Sequence, residues 1–402
     1  MATIAVLGTL DSKGLEHAFV AECIRARGHR TLLMDVGSGS LPTVVPDISR
    51  EEIADAAGLN LEEMLARKDR GECVHAMSEA APIMLAKLVA EGAIDGVISL
   101  GGGGGTAIAT AAMRALPLGF PKVMVSTLAA GNIAPYLGTQ DIVMMPSIVD
   151  ISGLNRLSRM IFSRAAGAVC GMVEAEIRLD ESRPLVVASM FGNTTACVTE
   201  AKRVLEDAGY EVLVFAATGA GGKSMESLIE SGWVAGVLDL TTTEWADEWV
   251  GGVLSAGPHR LEAAGRAKVP AVVAPGCLDM VNFGERSSVP AQFASRCFYA
   301  HNPQVTLMRT TAEECAALGK ILAEKVNDYQ APVAIMLPLK AISVISAAGQ
   351  VFHDSVADDA LFGAIRECAK VPVECFDEEI NSPVFARACA LKLLELMRMK
   401  AN

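Results

Sequence analysis

Five consecutive glycines, Gly101, Gly102, Gly103, Gly104 and Gly105, stand between an apolar stretch at residues 96–100 and a small-residue stretch at 106–115. This order predicts a buried strand, a glycine loop and the start of a helix. Glycine carries no Cβ to hold a ligand away, and it reaches the positive φ angles that such a loop uses. Thr106 is then placed to cap the helix. The first amide groups of a helix have no intrahelical partner, and the helix dipole adds roughly half a positive charge there, so the position favours an anionic group such as a phosphate. The competing explanation is a turn that only lets a helix pack closely on a strand.

The sequence of strand, small or polar turn and helix recurs along the chain. Residues 3–7 read as a buried strand, because strands of a parallel sheet are continuous apolar runs, and a polar turn at 8–14 leads to a helix at 15–27. Further strands are expected at 31–36, 96–100, 122–126 and 142–145, with helices at 74–91 and 151–171. Residues 37–70 form a polar excursion from the sheet with one short helix at 50–57. The segment 179–184 is charged and ends in Pro184, and the pattern restarts directly after it with a strand at 185–190. Residues 21–37 parallel 201–217, 88–97 parallel 228–237, and 121–128 parallel 270–278. Strands at 305–309 and 333–337 and a helix at 382–399 complete the chain. These parallels predict an α/β protein of two doubly wound Rossmann-like domains with mainly parallel sheets, distant repeats of each other, at residues 1–180 and 184–402. With 402 residues, 51% of them hydrophobic and 20% charged, the chain has ample material for two cores.

A net charge of −13 argues against nucleic acid or an anionic membrane as a partner, since both need clustered Lys and Arg. The ten cysteines form no C-x-x-C pair and sit in apolar surroundings, as reduced core thiols of a cytoplasmic protein do. No basic segment precedes the first strand, and no uninterrupted apolar run reaches about 18 residues, so neither a signal peptide nor a membrane span is expected.

Ligands of open parallel sheets bind beyond the carboxyl ends of the strands. In the first domain those loops supply Thr9, Asp11 and Lys13, then Asp35, the glycine run with Thr106, and Ser126 with Thr127. Lys13 offers a point charge to a phosphate, while Asp11 or Asp35 suits a ribose hydroxyl or a metal-bound water; the bland alternative for Asp11 is a helix cap. In the second domain the loops carry Asn193, Thr194 and Thr195, and then Gly219, Gly221, Gly222 and Lys223. Residues 217–224 follow a strand, precede a helix and fit a loose phosphate-loop pattern, but the apolar run ending at Asp239 leads into a long polar loop unlike a Walker site. A second anion site, for a small anionic metabolite, is the reading we adopt. Glu244, Asp247, Glu248 and Asp279, with Asn282 and His301, would serve acid–base chemistry or hold a divalent ion if they converge. Glu244, Asp279 and His301 are the candidate catalytic residues; no His spacing assigns a metal site, and no G-x-S-x-G elbow is present.

Several stretches together resemble one family: residues 8–14, 101–106, Tyr136-Leu137-Gly138-Thr139-Gln140-Asp141-Ile142, 149–155, 217–226, 238–248, 251–258 and Leu278-Asp279-Met280-Val281-Asn282-Phe283-Gly284. They look like the two-domain ATP-binding proteins typified by the plant tobamovirus-resistance protein. The resemblance implies ATP binding by the first domain, a second domain of related α/β type, and a homo-oligomer, dimer or larger. It also implies a TIM-barrel enzyme as a partner, because some members are joined to or encoded beside one. Lys223-Ser224 departs from the arginine and alanine usual in the family, Asn132 replaces a common aspartate, and Cys277 replaces a small residue. The combined expectation is a protein that binds ATP, with Mg2+, at the glycine run and acts on a small anionic metabolite. The alternatives are a nucleotide-sensing or partner-binding module without turnover, and a nucleotide-independent lyase or hydrolase.

Overall fold

The computed structural model describes residues 1–67, 69–176 and 183–401. The chain separates into two compact units, Met1–Arg178 and Leu179–Asn402, and most of the expected boundary at 179–184 lies outside the described residues.

In the first unit, β1 (Thr3–Gly8), β2 (Arg30–Asp35), β3 (Gly96–Gly101), β4 (Lys122–Ser126) and β5 (Val143–Pro146) form one parallel sheet in the order β2-β1-β3-β4-β5. Side chains alternate across a strand, and here both faces are covered. Ile4, Val6, Ile98 and Val123 pack under the helices Leu10–Arg25 and Arg156–Glu174. Ala5, Leu7, Val97 and Met124 face the helices Arg70–Ala90 and Gly103–Arg114. Arg70–Ala90 is long and apolar enough to cross a membrane by length and composition alone, yet its Met77, Ala80, Met84 and Leu85 belong to this core.

The second unit holds β6 (Leu185–Met190), β7 (Glu211–Ala216), β8 (Val234–Thr241), β9 (Ala271–Gly276), β10 (Met280–Phe283), β11 (Phe298–Asn302), β12 (Val305–Arg309), β13 (Val333–Pro338) and β14 (Val373–Phe376). Six of these make a parallel sheet in the order β14-β13-β9-β8-β6-β7, and an antiparallel sheet β10-β12-β11 is inserted between β9 and β13. Counted within its own unit, the main sheet runs 2-1-3-4-5-6, the order of the first sheet with one strand added. The two units are α/β repeats of one topology.

Several boundaries differ from expectation for local reasons. The first helix begins at Leu10 rather than at residue 15, because Leu10 is fully buried; residues expected as an open turn form its first turn, with non-helical angles at Lys13 (φ −134°, ψ 27°). Asp69 accepts from the Gly71 and Glu72 N–H groups and starts the next long helix at Arg70, not at 74. Asn155 caps the helix Arg156–Glu174, expected from 151. The excursion at 37–70 contains two helices, Arg50–Ala56 and Leu61–Ala66.

One tie fixes the first unit's site. The His17 Nδ1–H donates to the Lys13 carbonyl at 2.7 Å, and Nε2 accepts from the Leu100 N–H at 3.3 Å, which joins the start of the first helix to the end of β3. Burial pushes the imidazole pKa down and keeps it neutral, as that pair of bonds requires. The ring lies against Gly8, where a Cβ would stand 2.1 Å from Nε2. Gly8→Ala is expected to lower stability by roughly 1–3 kcal/mol in a denaturant titration, through overpacking. Gly103→Ala, where a Cβ meets nothing within 4 Å, is expected to be neutral or slightly stabilising in the same titration.

Candidate functional site

In a sheet of order 2-1-3-4-5 the chain leaves β1 on one side and β3 on the other, and a crevice opens where the connections part. Here the crevice lies between the first turn of Leu10–Arg25 and the first turn of Gly103–Arg114. Gly102 is the N-cap of the second helix, with extended backbone (φ −82°, ψ −157°), and no side chain caps that end. Thr106 is therefore inside the helix rather than its cap, and its N–H already donates to the Gly102 carbonyl at 2.8 Å. None of the five glycines has a positive φ, contrary to expectation. Only Gly101 is required by packing, since a Cβ there would stand 2.7 Å from the Thr106 nitrogen. At Gly102 and Gly105 a Cβ would find its nearest neighbours at 3.8 and 3.7 Å, and at Gly103 none within 4 Å.

Gly102, Gly103, Gly104 and Gly105 line a cavity of about 810 Å3 with Thr9, Asp11, Ser12, Lys13, Ser38, Gly39, Ser40, Leu65, Arg70, Val74 and Asp150. The Lys13 ammonium donates to the Ile151 carbonyl. The Arg70 Nη2 is 3.9 Å from where a Cβ on Gly104 would be, so a second cation stands beside the glycines. Arg50, itself buried, shapes the wall at 38–40 by donating to the Gly39 and Ser40 carbonyls at 3.2 and 2.8 Å. Asp11 accepts from the Gly39 N–H at 2.8 Å.

Of the expected residues, Thr9, Asp11, Lys13, Gly102, Gly103, Gly104 and Gly105 meet at this cavity. Gly101, Thr106, Ser126 and Asp35 lie behind its wall. The Thr106 hydroxyl is 2.7 Å from the Ser126 hydroxyl, both residues are fully buried, and Ser126 also accepts from the Leu128 N–H. Asp35 accepts from the Leu10 and Gly37 N–H groups, and its burial raises its pKa. Thr127 is exposed, outside the lining, and donates its N–H to the Gly101 carbonyl at 3.2 Å. Ser38, Gly39, Ser40, Leu65, Arg70, Val74 and Asp150 were not expected. Arg70 was legible in principle, because Asp69 before it is an N-cap residue type and marks a helix start.

The second unit fills its own crevice. The Glu244 carboxylate, fully buried, accepts from the Gly219 and Gly222 N–H groups at 2.7 and 3.1 Å. A Cβ on Gly222 would stand 2.2 Å from Glu244 Oε2. The anion held by the expected second anion site is thus a side chain of the same unit. Lys223 points to solvent and Gly221 packs on the Ala216 carbonyl. Arg260, 1% exposed, joins Glu244 (2.6 Å), Asp239 (2.5 and 2.7 Å) and Glu226 (3.0 Å). Burial opposes the guanidinium charge, but the Asp239 and Glu244 carboxylates outweigh it and raise the Arg260 pKa well above its ordinary value. Thr194 bonds to Thr241 at 2.8 Å, Asn193 gives its carbonyl to Asn381, and the exposed Thr195 bonds to the Gly192 carbonyl.

Glu244, Asp279 and His301 have different partners, and His301 stands away from Asp279. Asp279 is buried and accepts from the Ser343 hydroxyl at 2.7 Å, and its backbone carbonyl accepts from the Thr310 N–H at the far end of β12. His301 is exposed on β11 beside the bulge that faces Val305 and Thr306, at the opposite end of that strand and on the order of 15 Å along it. Asp247 accepts from the Asn282 N–H and side-chain amide at 2.8 and 2.7 Å. Burial pushes Asp247 up to about 7 and Asp279 up to about 6.

Two units of one strand order, the first with an open glycine-lined crevice and the second with a filled one, define a two-domain Rossmann-like α/β protein. Residues 2–178 match the N-terminal domain, and residues 183–397 the C-terminal domain, of the uncharacterised protein family UPF0261. The chain belongs to that family. A UPF0261 protein of Clostridium tetani (strain Massachusetts / E88) is 50% identical over 398 residues and covers 98% of each chain. The ToMV resistance protein Tm-1(GCR237) of Solanum lycopersicum is 36% identical over 417 residues, which span 97% of this chain and 55% of the tomato protein. The solved structure of Streptomyces sp. SF2575 glycosyltransferase SsfS6 with thymidine diphosphate covers 97% of this chain and 99% of its own at 14% identity and a TM-score of 0.20, which bears on neither architecture nor activity.

Arg260→Leu is expected to strand Asp239 and Glu244 without a counter-charge and to lower stability by about 3–5 kcal/mol in a denaturant titration. Asp247 and Asp279 keep their protons to higher pH folded than unfolded, so each adds stability that is complete below about pH 4 and is lost as the pH rises through about 7 and about 6. Asp247→Asn is expected to flatten the fall of the denaturation midpoint between pH 4 and 7, with Asn282 turning its amide to match.

Proposed function

We propose that the first unit binds a nucleotide, ATP with Mg2+, with its phosphates on the uncapped N-terminus of Gly103–Arg114. The observation that carries this reading is the open face of Gly102 to Gly105. Glycine inside a helix costs about 1 kcal/mol relative to alanine, and at Gly103, Gly104 and Gly105 neither φ nor a neighbouring atom closer than 3.4 Å asks for it, while Gly102 suits its N-cap position. A ligand drawn to hydrogen-bond distance of the backbone supplies the missing reason. Lys13 and Arg70 bring positive charge to the same cavity, and Leu65 and Val74 give it an apolar patch. Its volume of about 810 Å3 falls in the range of small-molecule sites. Because Glu244 is taken up by Arg260 and two backbone amides and His301 stands away from Asp279, the second unit favours a nucleotide-binding module that sets conformation or assembly over a phosphoryl transferase. Homo-oligomers, or a TIM-barrel enzyme, are the assemblies such a module would control.

Calorimetric titration with ATP, with and without Mg2+, tests the reading. One site per chain is expected, with at least a tenfold loss for Gly103→Val at unchanged melting temperature, and a loss of roughly 1–2 kcal/mol for Lys13→Ala. No heat and no thermal shift for the wild-type chain would sink the ATP reading.

A further inference from the structure

The carboxylates of Asp11 and Asp35 meet over Gly37. A Cβ on Gly37 would lie 3.1 Å from Asp11 Oδ1 and 3.0 Å from Asp35 Oδ1. Each carboxylate has one oxygen held by backbone: Asp35 Oδ1 accepts from the Leu10 and Gly37 N–H groups at 3.0 and 2.8 Å, and Asp11 Oδ2 from the Gly39 N–H at 2.8 Å. The other two oxygens, Asp11 Oδ1 and Asp35 Oδ2, are buried and receive no hydrogen bond. Asp35 as a whole is 1% exposed.

Buried acceptors left without donors are costly. The nearby cations are engaged elsewhere. Arg50 pairs with Glu51 and donates to the Gly39 and Ser40 carbonyls, and Lys13 donates to the Ile151 carbonyl. Among the described residues, no ion pair involves Asp11 or Asp35. We propose that Asp11 and Asp35 bind a hard divalent cation of the Mg2+ class beside the glycine cradle. No group of three or more His, Cys, Asp or Glu side chains surrounds the point among the described residues, so the protein contributes two carboxylate oxygens and the rest of the shell is water or ligand oxygen. That is the habit of Mg2+, which keeps several waters and takes one or two carboxylates together with phosphates. Asp11 and Gly39 line the same cavity as Gly102 to Gly105, which puts the ion within reach of a phosphate bound there. This last step rests on the nucleotide reading; binding of the ion itself does not.

The test is titration of the full chain with Mn2+ at neutral pH without nucleotide, following free Mn2+ by electron paramagnetic resonance. One Mn2+ per chain is expected, displaced by excess Mg2+. Asp11→Asn and Asp35→Asn are each expected to weaken it at least tenfold. Gly37→Ala keeps both carboxylates but fills the space between them, and is expected to weaken it as much; should it fail to fold, the two Asn variants carry the test. A folded wild type that takes up no Mn2+ overturns the proposal, as does unchanged binding in the Asn variants. ATP titrated in EDTA separates the two readings. Mn2+ binding with no ATP binding either in Mg2+ or in EDTA sinks the nucleotide alone, and ATP binding in EDTA without Mn2+ binding sinks the cation site alone.

Discussion

Every helix that follows a parallel strand starts with amide groups that the helix itself leaves without partners, and the two units differ chiefly in what satisfies them. In the second unit the answer is internal. Glu244 takes the Gly219 and Gly222 N–H groups, Asn381 takes the Cys197 N–H at 3.1 Å, and Glu226 takes those of Leu261, Glu262 and Ala263. In the first unit, side chains cap the helices Arg50–Ala56, Leu61–Ala66, Arg70–Ala90 and Arg156–Glu174, while Gly103–Arg114 has none. The uncapped helix is the one at the switch point of the sheet. Shared topology therefore carries two different chemical states of the same edge.

Placing Glu244 on buried amides has a consequence for the whole second unit. A buried carboxylate needs a counter-charge, and Arg260 supplies it while also holding Asp239 and Glu226. A guanidinium has five N–H donors, and the bonds to Glu244, Glu226, both oxygens of Asp239 and the Thr241 carbonyl use them all. No donor remains for an incoming anion. The cluster ties β8, the helix Ala220–Glu230 and the loop at 257–262 into one block, so Glu244 acts there as a structural anion.

What the sequence made legible follows from the range of the forces involved. Buried parallel strands are continuous apolar runs, so β1, β3, β4, β6, β12 and β13 could be read locally, and so could the restart after Pro184. Strand β11 could not, because Phe298–Asn302 is mostly exposed and mixed in polarity. Arg260 was equally hidden: beside Gly257, Pro258 and His259 it looks like a turn residue, and its partners lie 16 to 34 positions away. The anion-binding character of residues 219–222 was readable from their glycines, but the identity of the anion was not, because only folding brings Glu244 there. In the first unit, Asp11 and Lys13 were legible as switch-point residues. Arg70 was legible only as a helix start after Asp69, and Ser38 and Asp150 were not legible, since the excursion between β2 and β3 and the turn after β5 carry no local sign of folding back over the crevice.

The glycine run itself reconciles the two explanations that its sequence left open. Gly101 answers to packing, because the helix returns so close to β3 that a Cβ would meet the Thr106 nitrogen at 2.7 Å. Gly102 answers to the N-cap position, while Gly103 to Gly105 meet nothing closer than Val74 Cγ2, 3.4 Å from where a Cβ on Gly104 would be. Gly103 to Gly105 sit at ordinary φ, with open space at Gly103 and ordinary contact distances at Gly104 and Gly105, in a helix that alanine would stabilise. Lys13 and Arg70 stand at this edge together with Asp11 and Asp150, a charge-balanced set in a chain of net charge −13. Close packing accounts for Gly101 and the N-cap position for Gly102, which leaves Gly103 to Gly105 as a helix face without side chains beside Lys13 and Arg70.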